Sequence, residues 1–200
     1  MKKSLITFIV IAVILAYFLW PEKVISFPVG QTAPDQPVQN NLTTPKNWEK
    51  EEYKFTGLAE YKIKARVLSR NNFSMGRESD LSPVDLALGW GPMSDQSVID
   101  NIEVTQSNRW YHWTTQHSPI PLREVSLNSA NVHIIPAEES VKENLDKVYK
   151  GSLIEMKGYL IEINADDGWH WKSSLSREDT GGGSCELFWV EDLKVLDNQE

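Results

Sequence analysis

The first apolar block is the longest in the chain. From residue 5 to residue 20 every position is apolar except Thr7 and the amphipathic Tyr17, and Ser4 extends the run to 17 residues. That is the lower limit for a membrane-spanning helix. Tyr17 and Trp20 stand where an interfacial aromatic belt would lie. The block ends Phe18-Leu19-Trp20-Pro21, without the small residues of a signal-peptide cleavage site, so the pattern predicts an uncleaved transmembrane anchor over residues 1–20. No cysteine follows it to carry a lipid. Residues 21–50 then change character, with Pro21, Pro28, Pro34, Pro37 and Pro45 among Gln, Asn and Thr. This composition predicts a disordered Pro-rich linker with a reach of about 30 Å. Residues 51–200 are left as one domain.

Inside the domain, residues 61–68 alternate: Tyr61, Ile63, Ala65 and Val67 share one face, Lys62, Lys64 and Arg66 the other. That is a half-buried strand. Ser82-Pro83-Val84-Asp85 reads as a helix start, with Ser82 as N-cap and Pro83 in the first turn, and predicts a short helix over 83–88. Ser94 would cap a second one, to about residue 101. Residues 109–115 and 131–136 read as strands. Residues 137–149 make the best helix, with Val141, Leu145 and Val148 on one stripe. Residues 152–164 read as a long strand in which Gly158 marks a bulge or bend. Asp166-Asp167-Gly168 is a hairpin turn, 169–174 the return strand, and 185–196 the last strand.

The expected class is therefore mainly β with short helices (α+β): an anchor helix plus one small, partly open barrel. One amphipathic helix placed before a strongly curved strand is the arrangement of an OB-type barrel, with Gly158 supplying curvature. Segments 70–100 and 105–130 would be insertions in it.

Charge sharpens the location. Residues 1–50 hold 5 basic and 3 acidic residues, and the remaining 15 basic and 25 acidic residues give the domain −10. Lys2 and Lys3 keep the amino terminus cytoplasmic. The reading is a single-pass protein of the inner (plasma) membrane, inserted through residues 4–20, with its domain periplasmic or otherwise extracytoplasmic. An acidic domain repels phosphate backbones, so nucleic acid is not an expected partner. An envelope protein or another envelope component is.

The stretches SPVDLALGWGPMSD (82–95), RWYHW (109–113), SANVHIIPA (129–137) and GYLIEI with DDGWHWKSSLSREDTGGGSCELFWVE (158–191) together resemble a family of uncharacterised bacterial membrane-anchored proteins. The resemblance covers most of residues 60–192. It implies a bacterial source and brings no activity with it.

Candidate chemistry is sparse. Cys185, the single cysteine, follows a Gly-rich loop and opens a strand. It could be a nucleophile with His170, His112 or His133 as base, since a thiolate needs a base or positive neighbours. Glu186 beside it works against that, and the alternation Cys185, Leu187, Trp189 fits a buried small hydrophobe. Asp179-Thr180-Gly181 matches an aspartic-protease tripeptide but lacks its apolar strand, and the GGGS loop (181–184) lacks the lysine and helix of a phosphate loop. The four histidines are scattered, so no metal site and no cofactor is expected. The tryptophans are the richer signal. A two-sided aromatic strand at 109–113 cannot bury every ring in one thin sheet. Arg109, Trp110, Trp113, Trp169, Trp171 and Arg177, with the 175–184 loop, are the candidate partner contacts. The favoured function is a non-enzymatic binding module, and the alternative is a thiol-dependent hydrolase using Cys185 with His170.

Overall fold

The computed structural model describes residues 23–176 and 185–197. The anchor segment, Arg177 and the glycines of the 175–184 loop lie outside the described residues. The fold is mainly β. Among the described residues nine strands occur in chain order: β1 (Val38–Lys50), β2 (Tyr53–Asn72), β3 (Val84–Gly89), β4 (Glu103–Ser107), β5 (Trp110–Thr114), β6 (Ser129–Pro136), β7 (Leu153–Ala165), β8 (His170–Lys172) and β9 (Glu186–Val195). The helices are short: α1 (Arg77–Leu81), α2 (Gln96–Ile99), α3 (Leu122–Leu127) and α4 (Glu139–Leu145). Among these residues no helix is long and apolar enough to cross a membrane.

Seven strands form one sheet in the order β1-β2-β3-β6-β9-β7-β8, and β2 also pairs with β7, so the sheet is partly ring-like. The 20-residue β2 makes this closure. Its first part pairs with β7 from Tyr53↔Ala165 to Arg66↔Leu153, and its last part pairs with β3 from Arg66↔Gly89 to Asn72↔Val84. All pairs are antiparallel except β6 with β9. Gly158 sits where the β7–β9 register shifts. A Cβ there would lie 2.0 Å from the Trp189 carbonyl oxygen, so the two backbones approach as only glycine allows.

The ring encloses Tyr61, Ile63, Leu86, Val132, Met156 and Phe188, among others. Its outer face is also covered. Trp48 of β1 stacks on Phe55 and meets Trp189 at 5.2 Å, joining Ile135, Ile161 and Leu187 in a second apolar cluster. A third cluster holds Leu68, Ala87, Met93, Val98 and Val104 under the β4–β5 hairpin. Strands covered on both faces read as continuous apolar runs instead of alternating ones, which is the pattern of β3, β6 and β9.

Four expectations are corrected here. Residues 83–88 are not a helix: Val84–Gly89 is β3, buried at every position, and the demand for apolar cover on two faces overrides the Ser-Pro start signal. The adjacent helix is α1, before Ser82. Asp95, not Ser94, caps α2, accepting from the Ser97 amide at 2.9 Å. Arg66 does not share the polar face of Lys62 and Lys64 in solvent but is wholly buried.

The fourth correction concerns the linker. Residues 38–50 are β1, and its Pro45 falls in the interruption between Asn41 and Lys46, on an edge strand that tolerates it. Residues 23–33 are laid against the domain. Ile25 N donates to Lys150 O at 2.8 Å, Phe27 N to Gln96 Oε1 at 3.1 Å, Gly30 N to Asp95 Oδ1 at 3.2 Å, and Ala33 N to Ser94 Oγ at 3.1 Å. Arg66 holds this strap from beneath, donating to Gly151 O, Ile25 O and Gln96 Oε1 under the Phe27 ring. Proline and amide-rich composition lowered the apolar content, yet the strap's own backbone finds partners in the domain.

Candidate functional site

The outer face of β3 and β6 carries polar residues in otherwise apolar runs. Asp85 lies between Val84 and Leu86, and His133 between Val132 and Ile134, where alternation turns both away from the ring interior. They are register partners. Asp85 is fully buried and His133 nearly so. His133 Nδ1 approaches Asp85 Oδ1 to 2.9 Å, but its direction is not that of an N–H···O bond. We read the contact as electrostatic proximity, since the hydrogen-bond angle fails while the distance is short.

The cation that balances Asp85 comes from the β4–β5 hairpin. The hairpin turns through Asn108 (φ 50°) and Arg109 (φ 63°), the pair of left-handed residues that a two-residue type I′ turn requires. This aims Arg109 back at the sheet. Its Nη1 donates to Asp85 Oδ1 at 2.8 Å, and its Nη2 donates to Ser79 Oγ and Ser82 O. The guanidinium lies over Phe73 at 4.1 Å and Trp171 at 5.5 Å. Trp171 in turn meets His133 at 5.0 Å and Trp169 at 6.1 Å. Arg77 of α1 extends the row, over Trp169 at 4.8 Å and bonded to Asp167 at 2.7 Å. That bond is the largest influence holding the Asp167 carboxyl below the usual range. The result is a row of aromatic rings and guanidinium groups, half open to solvent, across β3, β6, β8, α1 and the hairpin tip.

The predicted contacts separate on this surface. Arg109, Trp169 and Trp171 come together. Trp110 and Trp113 lie on opposite faces of β5: Trp113 packs with Tyr111 on the third apolar cluster, and Trp110 is exposed. Arg177 falls outside the described residues. The thiol pair does not assemble. Cys185 is half-buried, its sulfur 3.9 Å from Arg109 O and 3.7 Å from Asn131 Nδ2, and neither atom takes up a proton. His170 points to the face of β8 opposite Trp171, bonded to Glu162 at 3.0 Å. Burial alone would raise the Glu162 carboxyl, but bonds from Lys172 and His170 outweigh it and hold the group below its usual range.

Comparison with protein-family models, with curated proteins and with solved structures finds no match to this chain. The residues themselves must carry the functional reading.

Sequence reasoning placed Asp85 in a helix start and His133 among the bases for Cys185, did not pair the two, and passed over Phe73 and Arg77. The signal for the first two was present: one acid inside VDLALG and one histidine inside NVHIIP. A polar residue at the core margin of a two-sided strand needs a partner, and the Arg109 hairpin supplies it. Nothing local to Phe73 or Arg77 marks them, because their neighbours in the row, Arg109 for Phe73 and Trp169 for Arg77, are 36 and 92 residues away. Among the described residues no group of three or more His, Cys, Asp or Glu side chains is arranged to hold a metal ion.

Proposed function

We propose that this chain is a membrane-anchored, extracytoplasmic binding module of the bacterial envelope, built on an OB-like ring. The ring order β2-β3-β6-β9-β7 with its parallel β6–β9 pair, and α4 between β6 and β7, supports the OB-like reading. Such barrels bind ligands over their second and third strands and between the loop joining the first two strands and the loop joining the last two. Here those elements are β3, β6, residues 73–83 and residues 166–185.

One observation carries the reading. Arg77, Trp169 and Trp171 of the row lie on those elements, and Arg109 reaches them from the β4–β5 hairpin through Asp85 of β3. Tryptophan and arginine in partly desolvated settings are the residues that most often dominate binding energy. Aromatic faces suit sugar rings or peptide side chains, and the acidic domain disfavours nucleic acid. The partner is accordingly an envelope protein or another envelope component reached from the membrane. The anchor over residues 4–20 gives high local concentration there.

The test uses the full chain, extracted in mild detergent from its own cells. A component that co-purifies with the wild type should be lost with Trp169→Ala, in a variant whose cooperative melt shows that it is folded. Retention of every co-purifying component by a folded Trp169→Ala variant would remove the assignment of this face. A mature amino terminus beyond residue 20 would remove the anchor.

A further inference from the structure

The strap changes how the domain meets the membrane. The apolar run ends at Trp20, and the chain is already held by the domain at Val24, which bridges to Lys150, and at Ile25, whose amide donates to Lys150 O. Three residue steps separate Trp20 from Lys23. At most ~3.6 Å each, they span about 11 Å, a few ångströms more than the roughly 5–8 Å of one headgroup layer. Lys23 therefore stays within about 11 Å of the end of the apolar run.

That face carries a second feature. An open groove of ≈ 470 Å³ is lined by Lys23, Arg70, Tyr149 and Lys150, with uncharged polar residues and two valines beside them and no acidic side chain. This stands out in a domain of strongly negative charge. Lys23 Nζ lies over the Tyr149 ring at 4.5 Å. Among the described residues neither Lys23 nor Lys150 makes an ion pair, while Arg70 donates to Leu145 O and Val148 O and has Asp146 at 4.0 Å on the rim. Burial pulls the Arg70 guanidinium below its usual value, with Asp146 and Tyr149 opposing. The lysines are thus open for an external anion, and Arg70 is the fixed wall.

We propose that this groove is the membrane-apposed face of the domain and takes the phosphate headgroup of an anionic phospholipid. The proposal rests on the anchor reading given above. It also orients the molecule. Lys150 precedes β7 and Asp166 follows it, and 13 residues of strand at ~3.3 Å each run to about 40 Å. The Asp166–Gly168 turn and Trp169 then stand at the end away from the bilayer. Cations meet the headgroups, and the acidic tip and its aromatic neighbours face outward.

The test reconstitutes the full chain in nanodiscs of phosphatidylcholine, with or without phosphatidylglycerol. A fluorophore is placed at Lys147→Cys or Asp166→Cys in a Cys185→Ser background, with headgroup-nitroxide lipid as quencher. The expected result is several-fold stronger quenching at 147 than at 166, enhanced by phosphatidylglycerol. Lys23→Glu with Lys150→Glu should remove the enhancement, at about fivefold in lipid preference per lysine. Equal quenching at both sites, or no response to phosphatidylglycerol, in chains that remain disc-bound overturns the proposal and leaves the anchor intact. Failure to associate with discs overturns the anchor and this inference with it. Hydrogen exchange of the unsubstituted chain gives the same answer without substitutions: slowing at residues 147–151 in anionic discs supports the proposal, and none contradicts it.

Discussion

Arg109 Nη1 donates to Asp85 Oδ1 across 2.8 Å, joining the tip of a two-stranded hairpin to the outer face of the ring. Asp85 is fully buried, and its second oxygen has no hydrogen-bond partner among the described residues. This ion pair fixes the Arg109 guanidinium beside Trp171 and His133, while Asn131 ties the hairpin to β6 through Gln106 and the Arg109 carbonyl.

Arg109→Ala leaves a buried carboxylate without its cation. Removing one partner of a buried pair costs about 3–5 kcal/mol, and the 17% exposure of the arginine side chain puts the effect at the low end of that range. Denaturant unfolding should show the loss, and Asp85→Asn combined with Arg109→Ala should recover part of it. Equal losses in the single and double variants would show that the pair is not coupled.

The strap depends on Gly151. A Cβ there would lie 1.8 Å from Ile25 O, and the residue has φ +86°, a conformation that costs other residues roughly 1–2 kcal/mol. Gly151→Ala should expel residues 23–27 from their place, with faster proteolytic cleavage there and about 2–3 kcal/mol of lost stability. An unchanged cleavage pattern would mean that the strap is not held at this point.

Glu162 gives a pH signature. Its folded-state carboxyl lies below the usual range, so its contribution is present above the unfolded value near 4.5 and is lost as pH falls through the folded value. Glu162→Gln should be less stable than wild type at pH 7, by up to about 1 kcal/mol for so solvent-accessible a cluster. Thermal melts of the two should converge as the pH falls below 4.5 and through the lowered folded-state value. A gap that stays constant from pH 7 to pH 3 would contradict the charge origin of the effect.

Cys185 should react slowly with iodoacetamide at neutral pH in the folded chain and quickly after unfolding, because its thiol is half-buried, with the Arg109 carbonyl at 3.9 Å and the Asn131 amide nitrogen at 3.7 Å. Fast labelling of the native protein would revive thiol chemistry at this position.

Much of the ring was legible in the chain. The alternation at 61–68 lies inside β2, Gly158 marks the register shift of β7, and Asp166-Asp167-Gly168 turns into β8. Val141, Leu145 and Val148 are buried as their spacing requires, though α4 covers only part of 137–149. What failed has a common cause. Val84–Gly89 carries a local helix-start signal, and residues 23–50 a local composition of disorder, but both are decided by distant partners: β2 and β6 for the first, α2, Lys150 and β2 for the second. The candidate site shows the same division. The tryptophans were visible one by one. The Asp85–Arg109 pair that draws Trp171 into a surface was not, because its members are 24 residues apart and meet only after the hairpin folds back.

The most direct test of the proposed binding face is photocrosslinking in living cells from the full-length chain. A benzophenone residue is placed in turn at Trp110, Asp166 and Trp169, with Gln116 as reference. The account predicts discrete ultraviolet-dependent adducts from 166 and 169, weaker or none from 116, and a weaker 169 adduct when Arg109→Ala removes the guanidinium beside Trp171. Adducts of equal yield from all four positions, or from 116 alone, would contradict it.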